Sequence, residues 1–253
     1  MFNHARRALG LAGFAIAASA GTSALAYDLK PIVIQLAPSG ARAAQTAVIT
    51  NTHDVPIAIE VKAFQRAQKP DGSDTLTADD ENIIVSPPQM VIPPKSSQSF
   101  RVQWVGDTAP TTELAFRIVT EQLPIQFKEQ VRSDLTADVT MRYRYEAALY
   151  VMPENRQAKA TLAGVAAVKN AAGEDELELR IKSEGTSRAI LDRPVLELSA
   201  DGTPHRLEGE AVKSLAGLNI LPGVERVVRI AMPADLKGHA LSGKLTTQYI
   251  TLN

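Results

Sequence analysis

An alternation of apolar and polar residues with a period of two limits the fold of this chain more than any other feature. Two well-separated segments, residues 57–63 and 177–181, show it. Their apolar positions are Ile57, Ile59, Val61 and Ala63 in the first and Leu177, Leu179 and Ile181 in the second. A period of two places such residues on one face of a β-strand. No long segment has the 3.6-residue period of an amphipathic helix, so we expect an all-β fold.

Short β-rich runs follow one another along the chain, separated by turn signals rich in Pro, Gly, Asn and Asp. Before Pro153 they cover residues 31–36, 46–51, 57–64, 83–85, 99–104, 114–121 and 139–152. About seven short strands in roughly 120 residues are typical of an immunoglobulin-like β-sandwich. A second series follows Pro153, at residues 160–168, 176–183, 194–199, 224–232 and 244–252. We therefore predict two immunoglobulin-like β-sandwich domains, residues 27–152 and 153–253.

The first 26 residues have the pattern of an export signal. Arg6 and Arg7 precede an apolar stretch, and the small residues Ala24 and Ala26 stand at the −3 and −1 positions of a cleavage site. This is the organisation of a secretory signal peptide, cleaved here between Ala26 and Tyr27. The alternative is a membrane anchor, but the apolar stretch is shorter than the roughly 20 residues that cross a bilayer. We expect an exported chain that is not embedded in a membrane.

Composition excludes several classes of function. The chain has no cysteine, which excludes disulfides, cysteine nucleophiles and thiolate-ligated metals. Its 27 basic residues balance 28 acidic ones, so it lacks the basic excess expected of a nucleic-acid-binding protein. The four histidines are scattered without metal-ligand spacing, and nucleotide-binding and nucleophile-elbow motifs are absent. The sequence predicts no catalytic residues, no metal site and no cofactor, and therefore no enzyme.

Three segments share a recognisable pattern. In residues 84–102 a Pro87-Pro88 pair precedes a strand with a central Arg101. In residues 113–124 a strand begins at Glu113 and ends in a Glu-x-x-Pro sequence, and residues 139–153 form a long alternating strand that ends at a proline. Together they resemble the N-terminal domain of periplasmic pilus-assembly chaperones of the PapD-like superfamily, and most of all the archaic, Csu-type branch of the chaperone–usher pathway. The resemblance covers residues 31–153 well and the second domain only loosely.

This resemblance implies both an architecture and a function. The two sandwiches would form an L or boomerang with a cleft between them. The protein would be a periplasmic chaperone that caps pilus or fimbrial subunits (pilins) and delivers them to an outer-membrane usher. It would do so by donor-strand complementation, in which the chaperone lends a β-strand to a subunit that lacks its last one.

The strand before Pro153 is the candidate donor. Alternation places four apolar side chains on one of its faces: Val139, Met141, Tyr143 and Tyr145. Polar and basic side chains alternate with them on the other face. An ordinary edge strand that lines its own core would show the same alternation, so the pattern alone leaves both interpretations open.

The resemblance also implies a basic anchor for the subunit's C-terminal carboxylate in the cleft. The positions that are Arg and Lys in the best-known members are Gln35 and Ala148 here, so that anchor is missing. The archaic branch suggests Arg117 instead, whose alternative role is a surface ion pair with Glu113. Lys30 and Arg144 are weaker anchor candidates. The resemblance further assigns Arg101 and Glu113 to a structural ion pair near the domain junction.

A second interpretation comes from a different class of protein, a secreted structural pilus subunit or adhesin-like sandwich. A subunit should have an N-terminal extension of alternating apolar residues and should lack the final strand of its sandwich. The expected mature chain instead reaches Lys30-Pro31 almost at once, and the last strand of its first domain is long. Neither interpretation identifies the cognate subunit.

Overall fold

A computed structural model of the protein describes residues 27–125 and 142–252. The predicted signal peptide, residues 1–26, lies outside these ranges. Within them the chain forms seventeen β-strands and three short 3₁₀ segments, and the all-β prediction is confirmed. The helical segments are Ala41–Ala43, Gly209–Leu215 and Ala234–Leu236. No helix among the described residues has the length and apolar character needed to span a membrane.

Ten strands build the first sandwich. They are β1 (Asp28–Lys30), β2 (Val33–Leu36), β3 (Ala44–Thr50), β4 (Ile57–Gln68), β5 (Asp74–Ala78), β6 (Ile83–Ser86), β7 (Gln89–Ile92), β8 (Ser97–Trp104), β9 (Leu114–Gln122) and β10 (Arg144–Val151). One sheet has the order β1-β3-β8-β6, and the other has the order β2-β10-β9-β4-β5 with β7 also paired to β4. The chain changes sheet at Pro31, because β1 pairs with β3 whereas β2 runs parallel to β10.

The apolar face predicted for residues 57–63 lies in the core between these two sheets. Ile57, Ile59, Val61 and Ala63 are all buried. They pack against aromatic side chains of the facing sheet, Phe100 and Trp104. Burial of alternate side chains from both sheets therefore holds the first sandwich together without a disulfide.

Seven strands build the second sandwich. They are β11 (Ala160–Lys169), β12 (Asp175–Ser183), β13 (Ala189–Ala200), β14 (Thr203–Leu207), β15 (Asn219–Ile220), β16 (Glu225–Ala231) and β17 (Leu241–Tyr249). One sheet is β11-β12-β16, and the other is centred on β13, which pairs with β14, β15 and β17. Leu177, Leu179 and Ile181 of β12 are fully buried in its core, as their alternation predicts.

A small apolar cluster joins the two sandwiches. Ala148 and Tyr150 of β10 pack against Leu221, which follows β15. The β4–β5 hairpin also reaches the second sandwich, since Gln68 Nε2 donates to the Asn219 carbonyl (3.0 Å) and the Val227 N–H donates to the Pro70 carbonyl (2.8 Å). The outer face of β10 is therefore turned toward the second sandwich over its last residues.

Candidate functional site

Of the four predicted donor residues, two can be located. Val139 and Met141 lie outside the described residues. Tyr143 and Tyr145 are half-buried and pack against the rim of their own sandwich's core. The ring of Tyr145 meets that of Tyr27 edge-on at 4.7 Å between centroids, and the ring of Tyr143 lies 5.9 Å from that of His53. The two tyrosines thus line the core where β10 enters the sheet.

Tyr27 fixes the surface against which Tyr145 rests. Its side chain is buried, and its hydroxyl donates to the Thr120 carbonyl at 2.7 Å. Burial is the main cause that raises the pKa of Tyr27 to about 12, so the phenol stays protonated and remains a donor at neutral pH. Tyr145, at the start of β10, therefore rests against a buried side chain that is itself hydrogen-bonded.

One edge of β10 is open over its first half. Residues 144–151 pair antiparallel with β9, but only residues 148–151 also pair with β2. The Gln122 N–H donates to the Tyr143 carbonyl, so the odd-numbered residues bond to β9 and the backbone groups of Arg144 and Glu146 point away from it. Among the described residues no strand covers these groups. Such an edge can accept a strand from another chain.

Arg117 lies on the outer face of β9, directly opposite Ala148 of β10. Its Nη2 donates to Asp74 Oδ2 at 2.9 Å, and Arg66 Nε donates to the same oxygen at 2.8 Å. These side chains are mostly buried: those of Arg66, Asp74 and Arg117 are 7%, 16% and 20% exposed. Burial acts to raise the pKa of Asp74, but hydrogen bonds from both arginines outweigh it and lower that pKa.

This cluster has more positive than negative charge. Two guanidinium groups share one carboxylate oxygen, while the Asp74 Oδ1 and Arg117 Nε atoms are buried with no hydrogen-bond partner in the described part of the chain. Arg66 Nη1 also donates to the Tyr150 hydroxyl at 3.3 Å, which connects the cluster to the junction. An additional carboxylate beside Arg117 would balance the charge and satisfy the unpaired donor.

The other two anchor candidates lie elsewhere and are paired locally. Lys30 is on β1, in the opposite sheet, where its Nζ lies 2.8 Å from Asp28 Oδ2 on the exposed surface. Arg144 shares the outer face of β10 with Ala148, but it lies four residues, about 13 Å, away along the strand. It pairs with Glu146 at 3.0 Å. The structure does not bring either residue to Arg117.

The predicted ion pair between Arg101 and Glu113 is wrong. Glu113 Oε2 accepts from Arg188 Nη1 of the second sandwich at 2.8 Å, and the two side chains are 0% and 5% exposed. Arg101 lies on β8 between Phe100 and Val102, which fill the core, so its side chain points to solvent on the opposite sheet. Glu113 is nevertheless at the domain junction, where its N–H also donates to the Thr186 carbonyl.

Arg188 was missed by sequence reasoning. Besides pairing with Glu113, its guanidinium carbon lies 3.8 Å from the centroid of the Tyr150 ring. Burial raises the pKa of Glu113 despite the opposing charge of Arg188. The only signal in the sequence is that Arg188 directly precedes the apolar start of a strand, Ala189–Leu191, which suggests burial but not the partner.

Within residues 27–125 and 142–252, no three His, Asp or Glu side chains come together in a way that could hold a metal ion. The remaining features of interest are therefore the open edge of β10 and the charged residues of the junction.

Comparisons with known proteins show which proteins this chain is similar to. Residues 32–157 match the family of pili and flagellar-assembly chaperones, PapD N-terminal domain. No curated protein sequence matches the chain. The crystal structure of the class 5 fimbriae chaperone CfaA is 14% identical, with a TM-score of 0.54 over 90% of this chain and 100% of that one.

Chains from two complexes have similar sequence identities and TM-scores. A chain of a chaperone–tip adhesin complex of CFA/I fimbriae biogenesis is 15% identical, with a TM-score of 0.53 over 80% of this chain and 87% of that one. A chain of the CsuC–CsuE complex from the archaic Csu pili of Acinetobacter baumannii is 15% identical, with a TM-score of 0.50 over 82% and 90%. The family match and the structural neighbours are thus PapD-like fimbrial chaperones, and the two-sandwich prediction is confirmed. The similar scores do not separate the archaic branch from the others.

Proposed function

We propose that this protein is a periplasmic chaperone that holds pilus or fimbrial subunits by donor-strand complementation and delivers them to an outer-membrane usher. The match of residues 32–157 to pilus-assembly chaperones supports a chaperone role. The observation that carries the donor-strand mechanism is the open edge of β10, where the backbone groups of Arg144 and Glu146 have no strand partner among the described residues.

The donor strand would work through backbone and side chains together. A subunit that lacks its last strand exposes both an unpaired edge and an apolar groove. The open edge of β10 would pair with that edge, while Val139, Met141 and Tyr143 would enter the groove. Each fully buried side chain of this kind contributes roughly 1.5–3 kcal/mol before the cost of association. We assign Tyr145 to the base of the strand, because its ring already rests against Tyr27.

Arg117 is the proposed anchor for the subunit's C-terminal carboxylate. It lies beside Ala148 on the face turned toward the second sandwich, within a cluster that has a surplus of positive charge. A fixed anchor would set the register of the donated strand, since a slip by one residue would turn every donor side chain to the wrong face. Lys30 and Arg144 are weaker candidates because each is paired on an exposed surface.

We also propose that the protein belongs to the archaic, Csu-type branch. The support is the absence of the two basic residues of the best-known members, which are replaced by Gln35 and Ala148. Export to the periplasm would follow from the signal pattern of residues 1–26. An alternative role as a pilus subunit is less consistent with the fold, because β10 is present and completes the sheet that a subunit would leave unfinished.

Co-expression with a pilus subunit tests the donor mechanism. Met141→Glu and Tyr143→Glu should each reduce the yield of the purified complex at least tenfold, because a charge would enter an apolar groove. Thr140→Glu adds the same charge at a position that the alternation predicts to lie on the opposite face. It is the matched control and should leave the yield near that of the wild type. Equal yields for all three variants would rule out strand donation.

A further inference from the structure

Methionine carries all of the sulfur in this chain, because the sequence has five methionines and no cysteine. In a chain without thiols, the methionine thioethers are the groups that a peroxide oxidises first. The described residues include three of the five, Met90, Met152 and Met232. The surroundings of these three side chains differ, and the differences single out Met152.

Met152 directly follows β10, at the junction of the two sandwiches. Its side chain is half-buried and packs against the apolar cluster of Ala148, Tyr150 and Leu221. It lines a groove of about 730 Å³ and also a neighbouring cavity of about 240 Å³. Both spaces are large enough to hold water. A molecule as small as hydrogen peroxide can therefore reach this side chain from solvent.

The other two described methionines lie in less open surroundings. Met90 is buried in the core of the first sandwich. Met232 is half-buried against the core of the second sandwich, and it lines neither the groove nor the cavity beside Met152. Because oxidation follows exposure of the sulfur, Met152 should be the first of the three to react.

The guanidinium group of Arg188 lies beside the sulfur of Met152. Its Nη1 donates to Met152 Sδ at 3.7 Å, while the same nitrogen donates to Glu113 Oε2 at 2.8 Å. A thioether is only a weak acceptor, and the Arg188 Nε is buried without an acceptor in the described part of the chain. A stronger acceptor at the position of the sulfur would satisfy donors of Arg188 that the thioether does not.

We infer that Met152 is a site of oxidation by peroxide, and that Arg188 holds the resulting sulfoxide. A lone pair of the sulfur attacks one peroxide oxygen, the O–O bond breaks, and an S–O bond forms. The departing hydroxide takes the proton of the transferred oxygen and leaves as water. The sulfur loses two electrons and the peroxide gains them. The sulfoxide oxygen then accepts a hydrogen bond from Arg188 in place of the weak bond to sulfur.

Oxidation at this position changes the junction and leaves both cores as they are. The weak bond between Arg188 of the second sandwich and Met152 becomes a charge-assisted one. The sulfoxide also adds a polar group to the edge of the small apolar cluster around Tyr150. Methionine sulfoxide reductases reverse this modification, so the change is not permanent. The inference concerns this chain alone and does not rest on the proposed chaperone function.

Peptide mapping by mass spectrometry tests the order of oxidation in the purified protein. Trypsin places Met152 in the peptide of residues 145–156, which contains no other methionine. After brief treatment with hydrogen peroxide, we expect Met152 to be oxidised at least about fivefold faster than Met232 and Met90. In urea the rates should become equal, because only the fold distinguishes these side chains. Equal rates for Met152 and Met232 in the folded protein would overturn the inference.

The NMR signal of the Arg188 Nε–H tests the contact with the sulfoxide. Oxidation should shift this signal, and the two reductases that are specific for the two sulfoxide epimers should together restore it. Met152→Leu, which removes the sulfur at nearly constant volume, should abolish the shift, whereas Met232→Leu should show the same shift as the wild type. The inference also fails if the signal does not move once Met152 is oxidised, or if it still moves in Met152→Leu.

Discussion

Arg117 and Ala148 are directly opposite each other on β9 and β10, on the face that is turned toward the second sandwich. Neighbouring strands are about 4.8 Å apart, so a long side chain on β9 can reach the surface above β10. The family resemblance implies that Ala148 stands where the best-known PapD-like chaperones carry a lysine. A cation one strand away would thus cover nearly the same point of the cleft, which is the reason for assigning the anchor to Arg117.

Arg117→Ala tests that assignment. We expect it to reduce recovery of the chaperone–subunit complex at least tenfold, because the subunit's carboxylate would lose its counter-ion. The free protein should stay folded, since Asp74 keeps its bond to Arg66. Pull-down of a tagged subunit and thermal unfolding of the free variant measure the two effects. Arg101→Ala, which removes an exposed arginine from the opposite sheet, is the control, and an equal loss of complex in that variant would argue against an anchor at Arg117.

The two cores could be predicted from the sequence because the side chains that face the core of a sandwich recur at every second residue of a strand. Residues 57–63 and 177–181 have apolar side chains at every second position, and all of those side chains are buried, although Ala58 between two of them is buried as well. The predicted strand at residues 31–36 shows the limit of this reasoning. It begins only at Val33 and is preceded by β1 in the opposite sheet, because the change of sheet at Pro31 depends on which strands are available as partners.

The charged partners at the junction could not be predicted either, because they come from distant parts of the chain. Glu113 and Arg188 are 75 residues apart in the chain, and their contact exists only once both sandwiches have folded and docked. Arg101 was assigned to Glu113 from a family pattern that does not specify the second domain of this chain. Alternation predicted that the side chain of Arg117 points away from the core. It did not predict the partner of Arg117, because Asp74 lies on a different strand.

Removing one member of the buried ion pair should be costly. Glu113→Gln leaves the guanidinium of Arg188 buried without a counter-ion, and we expect a loss of about 3–5 kcal/mol in the free energy of unfolding. Urea denaturation followed by tryptophan fluorescence measures it. The double variant Glu113→Gln with Arg188→Met should recover part of the loss, because no unpaired charge remains. If the double variant is as unstable as the two single losses combined, the pair does not act as a unit.

The Asp74 cluster predicts a dependence of stability on pH. The pKa of Asp74 is lowered in the folded protein from its ordinary value of 3.8, with hydrogen bonds from Arg66 and Arg117 overcoming the opposing effect of burial. A carboxyl group whose pKa falls on folding contributes stability above its unfolded pKa and loses it as the pH falls through the folded value. The gap in unfolding free energy between wild type and Asp74→Asn should therefore be largest near neutral pH and should shrink below about pH 4. Urea denaturation across this range measures it, and a gap independent of pH would contradict the prediction.

Alanine substitutions at two glycines can distinguish the contribution of the β4–β5 hairpin to the junction from the general cost of backbone strain. Gly72 in this hairpin and Gly40 after β2 both have positive φ, 93° and 74°, so alanine is unfavourable at either position by about 1 kcal/mol. A Cβ at Gly40 meets open space, whereas a Cβ at Gly72 would clash with the guanidinium of Arg226.

That arginine connects the two sandwiches, because its Nε donates to the Pro70 carbonyl at 3.1 Å. We expect Gly72→Ala to displace Arg226, to lower the unfolding free energy by more than Gly40→Ala does, and to speed amide hydrogen exchange at Val227, whose N–H is bonded to Pro70. Gly40→Ala should leave exchange at Val227 unchanged. Equal effects of the two substitutions on stability and on exchange would mean that the hairpin does not brace the junction.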